Sequence, residues 1–268
     1  GEYWGMYLLA ELQQINPNRV NITEPATVDY AGTDTGYFLE FDGYFDDEPE
    51  LQMFHVDYAD NAPLVPFDGE GGDGREMTCL PEGRGDYRND IGVTIKNDII
   101  SQEQHDFISS FVNNTYKIMY EAAYNDAAYV FSEDYSEIVP ASDITPFEAV
   151  DKVVNLESLA DMYIISEITC DADIYWSSFF MTADFGETGD KKLTFTAPWD
   201  FDSAMGNKDR CLNGKGFYAS NIVPDVNGNE YQTCNPWLMV LAYQDWYQDI
   251  INPYFFQPVW KSLLKRDI

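Results

Sequence analysis

Between Asn155 and Asn207 the spacing of apolar residues changes from helical to alternating, and carboxylates fall on both sides of the change. Leu156, Leu159, Met162 and Tyr163, with the run Ile164 to Ile168, read as a buried helix over 155–169. Residues 178–183 and 192–196 read as two strands joined by the turn-rich stretch 184–190. Asp173 lies in the loop before this hairpin, and Asp200 and Asp202 lie just after it. The chain here is therefore constrained to run helix, aspartate-bearing loop, hairpin, acid pair.

The acid pair sits in Thr196-Ala197-Pro198-Trp199-Asp200-Phe201-Asp202-Ser203-Ala204-Met205-Gly206-Asn207. Two carboxylates two positions apart point the same way on an extended segment. Pro198 and Trp199 stiffen the approach, and Gly206 permits a sharp turn afterwards. Paired oxygens of this kind suit a hard divalent cation such as Mg²⁺. The competing reading is a strand end with solvated acids.

The order of elements matches that of a protein kinase catalytic core: a catalytic-loop Asp, an Asn five positions later, a short hairpin, then the metal-binding Asp. Asp173 takes the first place, Ser178 replaces the Asn, and Asp200 takes the last. The literal Asp184-Phe185-Gly186 falls at the hairpin tip, where a turn calls for Asp and Gly in any case. The surrounding words resemble the CotH kinase family, the spore-coat-protein-H-like group with an atypical protein-kinase fold. The resemblance rests on Glu167-Ile168 through Asp173 and Ser178, and on Trp199-Asp200-Phe201-Asp202 with Gly206-Asn207. It extends to the segment from Gly1-Glu2-Tyr3-Trp4 to Glu11, to Asn18-Arg19-Val20-Asn21-Ile22, and to Asn235-Pro236-Trp237-Leu238-Met239.

That resemblance implies an α+β, atypical kinase-like, two-lobe fold lacking the N-terminal part of its small lobe. Residues 1–97 would be the remainder of the small lobe with the hinge and insertions, and 98–268 a larger, mainly helical lobe. A further strand would precede Gly1, and residue 268 would fall in mid-helix. Leu9, Ala10, Glu11 and Leu12 would lie near adenine at the hinge, with Leu9 and Glu11 as nucleotide-binding candidates. It also implies ATP with Mg²⁺ or Mn²⁺, and transfer of the γ-phosphate to a protein hydroxyl. Asp173 would orient that hydroxyl, Asp200 and Asp202 would hold metal, and Ser178 would join the metal shell. One departure stands out: the ATP-pairing lysine belongs on a strand upstream of the hinge. Neither it nor its helix carboxylate is identified in these 268 residues. Lys96, leaving a short strand over 92–96, is a further candidate for phosphate contact.

Charge narrows the partners. With 47 acidic against 15 basic residues the formal charge is −32, which argues against a nucleic-acid surface and disfavours anionic membranes. A 45% hydrophobic and 16% aromatic composition marks a folded protein and not an acidic disordered tail. No stretch reaches the roughly 20 apolar residues that span a bilayer. Cys79, Cys170, Cys211 and Cys234 are an even set compatible with secretion, with Cys211 and Cys234 the preferred pair. A secreted or cell-surface protein is expected, with a protein substrate or a surface-assembly partner.

Elsewhere, 36–45 and 51–56 read as a hairpin around Asp46-Asp47-Glu48-Pro49, and 61–90 as a long surface insertion. Ser101-Gln102-Glu103-Gln104 is a capping-box helix start, with Phe107, Ile108, Phe111, Val112 and Met119 facing inward over a helix to about Tyr124. Residues 207–232 read as irregular around a Val226-Asn227-Gly228-Asn229 hairpin turn, and 236–251 and 253–264 as helices. The acidic turns at Asp46-Asp47-Glu48 and from Asp225 to Glu230 offer oxygen ligands for Ca²⁺, against simple solvated turns. Two other functions use the same residues. A non-catalytic, structural member would keep the scaffold with Ser178 in place of Asn. A carbohydrate hydrolase would use Asp173 and Asp200 as its carboxylate pair.

Overall fold

The computed structural model describes residues 12–42, 44–55, 92–169, 178–201, 222–224 and 230–232. The expected strand and hinge over 1–11, the expected insertion over 61–90, all four cysteines, Asp173, Asp202, the expected turn over 226–229 and the helices expected over 236–251 and 253–264 lie outside the described residues.

A five-stranded antiparallel sheet organises what is described. Its strands are β1 (Gly36–Asp42), β2 (Met53–His55), β3 (Gly92–Ile95), β6 (Phe179–Asp184) and β7 (Leu193–Phe195), in the order β2-β3-β1-β6-β7. The sequence Gly-Tyr-Phe-Leu-Glu-Phe-Asp of β1 alternates with period two, so its side chains divide between the two faces. Tyr37, Leu39 and Phe41 enter the main core with Val93, Ile95, Phe179, Met181 and Leu193. Phe38 packs on the other face with Val20 and Phe180, and the two Phe rings stack at 5.2 Å.

The expected hairpin of 36–45 with 51–56 does not form, because β3 lies between β1 and β2 and pairs with both. The intervening residues instead make two short 3₁₀ turns, Phe45–Asp47 and Glu50–Gln52. Phe45 is buried, and its ring lies against Gly92 of β3 where a side chain would otherwise stand. β1 to β3 precede residue 97 in the chain and β6 and β7 follow residue 98, and all five pair in this one sheet.

Helix α1 (Gln102–Tyr124) starts at the capping box of Ser101 and Gln104, and Ile108, Phe111, Val112 and Met119 are buried. The hairpin of β4 (Tyr129–Phe131) with β5 (Ile138–Pro140) and the helix α2 (Pro146–Val153) follow. Sequence reading passed over α2, although Thr145 and Glu148 form a capping box with proline at the start. Helix α3 (Leu156–Thr169) begins at Asn155, whose side chain accepts from Ser158 N–H at 3.1 Å. It is not apolar-buried all round: Leu159, Met162 and Tyr163 are buried, while Ile164 and Ile168 are about half exposed, at 51% and 50%. Residues 207–232 are not wholly irregular, because β8 (Ile222–Pro224) and β9 (Glu230–Gln232) pair antiparallel. The described part of 98–268 thus holds three helices and six strands. Among the described residues no helix is long and apolar enough to cross a membrane.

Candidate functional site

Two anchors fix the hairpin that follows α3. Asn155 N–H donates to Leu193 O at 2.9 Å, and Phe195 N–H donates to Ser158 Oγ at 3.0 Å. The start of α3 is thereby tied to β7, and β6 is locked against β1 from Gly36–Asp184 to Phe41–Phe179. The hairpin tip carries Asp184 and Phe185 as structural residues. Asp184 accepts from Thr23 N–H, Thr23 Oγ and Gly186 N–H, and Phe185 is buried.

Around the other end of β6 a line of polar groups crosses the sheet. Lys96 follows β3 directly, its backbone N–H donating to Phe38 O at 2.7 Å. Its Nζ lies 3.0 Å from Glu40 Oε2. Glu40 sits mid-strand in β1, opposite Thr94 on one side and Phe180 on the other. Its second oxygen, Oε1, accepts from the backbone N–H of Ser178 at 2.9 Å. Ser178 Oγ in turn donates to Asp200 Oδ2 at 3.4 Å. Lys96, Glu40, Ser178 and Asp200 thus form one connected row, drawn from β1, the residue after β3, the residue before β6 and the segment after β7.

Burial sets the charge balance of that row. Glu40 and Asp42 are buried, and burial raises both carboxyls above their ordinary values. For Glu40 the bonds from Lys96 and Ser178 oppose the rise without cancelling it. Burial alone would lower Lys96, but the hydrogen bond and charge of Glu40, with Asp42 and Glu48, carry it upward. Lys96 is therefore held as a cation facing more than one negative charge.

The backbone at the aspartate end departs from expectation. Asp200 has φ of 59° and Ala197 of 55°, so this stretch is not the extended segment that the acid pair suggested. Ser178 is also left-handed, at 64°. Non-glycine residues in this region cost about 1–3 kcal/mol each, and such residues gather at functional sites. Trp199 and Ala197 pack against the Val20, Phe38 and Phe180 cluster, which seats the segment on the same face as Phe38.

Of the sequence-derived candidates, Lys96, Ser178 and Asp200 come together; Leu9, Glu11, Asp173 and Asp202 lie outside the described residues. Glu40 was missed. It reads as the outward residue of an alternating strand, and only Phe38, on the same side, signals that this face is covered as well. Among the described residues no group of three or more His, Cys, Asp or Glu side chains is arranged to hold a metal ion. The acidic turn over 46–48 runs through the first 3₁₀ turn and its C-cap. Two surface cavities, of about 450 and 840 Å³, open beside the β4–β5 hairpin and α1 and include none of the four residues of the row.

Comparison with known proteins gives one result: the family described as CotH kinase protein matches residues 1–263. No curated protein and no solved structure matches the chain.

Proposed function

The chain belongs to the CotH kinase protein family, and on that premise we propose that it is an ATP-dependent protein kinase acting at the cell surface or outside the cell. The γ-phosphate of ATP goes to a hydroxyl of a protein substrate, within a two-lobe, atypical kinase-like fold. The observation that carries this reading is the connected row Lys96–Glu40–Ser178–Asp200. It gives one side of the site a fixed cation and the other an exposed carboxylate, the two features that a metal-bound triphosphate requires. The ion pair of Lys96 with Glu40 supports a lysine held by a carboxylate at the phosphate end of the site.

The donor set fits a hard cation. Asp200 is exposed, Ser178 supplies a second oxygen beside it, and neither is a soft ligand. Mg²⁺ or Mn²⁺ there would neutralise charge on the β- and γ-phosphates. Without such a cation a chain of formal charge −32 repels ATP. On this reading Lys96 would contact phosphate, Asp200 and Asp202 would hold metal, Asp173 would accept the proton of the substrate hydroxyl or orient it, and Leu9 and Glu11 would flank adenine. The even cysteine count and the acidity support the location.

The test is thermal shift and calorimetric titration with MgATP and MnATP, followed by phosphotransfer to protein acceptors. Asp200→Asn keeps a residue that tolerates positive φ, so loss of metal-dependent ATP binding in that variant reports the site itself. Unchanged titration would overturn the assignment. A second reading, a scaffold that binds without transferring phosphate, is favoured by Ser178 standing where the kinase order calls for Asn. Nucleotide binding with no transfer to any acceptor would select it.

A further inference from the structure

Glu40 stands inside the row, bonded to Lys96 on one side and to Ser178 on the other, and the phosphoryl-transfer reading assigns it no part beyond pairing with Lys96. It is 7% exposed and held in register by β3 and β6 on either side, so its position is set by the sheet and not by solvent. One carboxylate oxygen meets Lys96 Nζ and the other meets Ser178 N–H. Ser178 is the residue at which the chain enters β6, and it does so with positive φ. Its hydroxyl then reaches Asp200, which has positive φ as well. Two non-glycine residues in a disfavoured conformation, bonded to each other, need an external fixture. Within the described residues the bond from Ser178 N–H to Glu40 is one such fixture, and it comes from a strand distant in sequence.

We propose that Glu40 is a positioning residue that sets both poles of the nucleotide site at once, aiming Lys96 with one oxygen and holding Ser178, and through it Asp200, with the other. The proposal rests on the kinase reading above. Its consequence is that two functions of Glu40 are separable. A plain counter-ion for Lys96 influences the nucleotide only. A two-ended fixture also influences the cation at Asp200, as outer-shell partners of metal ligands do.

Two double variants of the full chain separate these roles. Glu40→Gln with Lys96→Met keeps an amide oxygen for Ser178 N–H; Glu40→Met with Lys96→Met removes it. Both replace the ion pair by neutral side chains of similar volume, so neither leaves one partner of the pair charged without the other, and both remove the Lys96 charge from Asp42 equally. Circular dichroism and melting establish that each is folded. Mn²⁺ dependence of ATP binding is then measured by isothermal titration at fixed ATP. Both variants are expected to bind ATP more weakly than wild type, since both lack Lys96. Only the Glu40→Met pair is expected to need more Mn²⁺ for half-saturation, by about 10-fold, the lower end for loss of an outer-shell partner. Equal Mn²⁺ requirements in the two variants overturn the inference and leave the kinase reading standing. Wild type that binds neither Mn²⁺ nor ATP overturns the kinase reading, and this inference with it.

Discussion

Lys96 Nζ and Glu40 Oε2 stand 3.0 Å apart, with side chains 31% and 10% exposed. A pair so far withdrawn from water is costly to break from one side, because the remaining charge stays desolvated. Lys96→Met strands the Glu40 carboxylate next to Asp42, whose charge already acts against it. The expected loss is about 2–3 kcal/mol, below the 3–5 for a fully buried pair because Lys96 keeps some access to water. Urea denaturation checks it, and adding Glu40→Gln to that variant should restore most of the loss.

Asp42 gives a pH-dependent counterpart. Burial raises its carboxyl above the ordinary value of 3.8, while the Tyr44 N–H, donating at 2.8 Å, pulls the other way. A carboxyl raised in the fold favours the folded state below its ordinary value, and that contribution is lost as pH rises through its folded value. Asp42→Asn keeps an oxygen for Tyr44 N–H and removes the titration. The variant should therefore melt higher than wild type at pH 7, with the difference shrinking as pH falls toward 4. A difference that is constant with pH would contradict the assignment.

Much of the scaffold was legible because it is local. The Ser101–Gln104 box starts α1, the change of period marks α3, and the turn residues at Asp184 and Gly186 mark the β6–β7 hairpin. The order of strands was not, because β3 pairs with residues far from it and no local pattern announces insertion between β1 and β2. The site divides the same way. Asp200 and Lys96 stand out beside turns and strand ends. Glu40 and Asp42 alternate with Tyr37, Leu39 and Phe41 as solvent-facing residues do, and their burial comes from a second layer of packing that alternation cannot report.

Gly92 tests the strand order directly. A Cβ there would stand 2.4 to 2.7 Å from three atoms of the Phe45 ring, which is itself buried. Gly92→Ala must displace that ring from between the 3₁₀ turn and β3, at about 1–3 kcal/mol for an overpacked site. Phe45→Leu on the same background should recover part of the loss. The double-mutant cycle by chemical denaturation should show coupling well above the experimental error; strict additivity would contradict the contact.

Asp184-Phe185-Gly186 carries the letters of a kinase metal motif, and the structure makes the distinction from Asp200 measurable. Phe185 is packed edge-on against Phe107, Phe111 and Tyr135 at centroid distances of 4.6, 4.9 and 5.3 Å. Phe185→Ala should cost about 3–5 kcal/mol, as for removal of a buried phenyl ring. Asp184 lies at the far end of β6 from Ser178, about 20 Å away at the rise of a β-strand, and its oxygens are occupied by Thr23 and Gly186. Asp184→Asn should accordingly leave the Mn²⁺ dependence of ATP binding unchanged while lowering the melting temperature. Asp200→Asn should do the reverse, since Asp200 is exposed and is held by the one hydroxyl contact with Ser178 described above. If the two variants exchange these behaviours, the metal belongs at the hairpin tip, and the row from Lys96 to Asp200 is a structural brace.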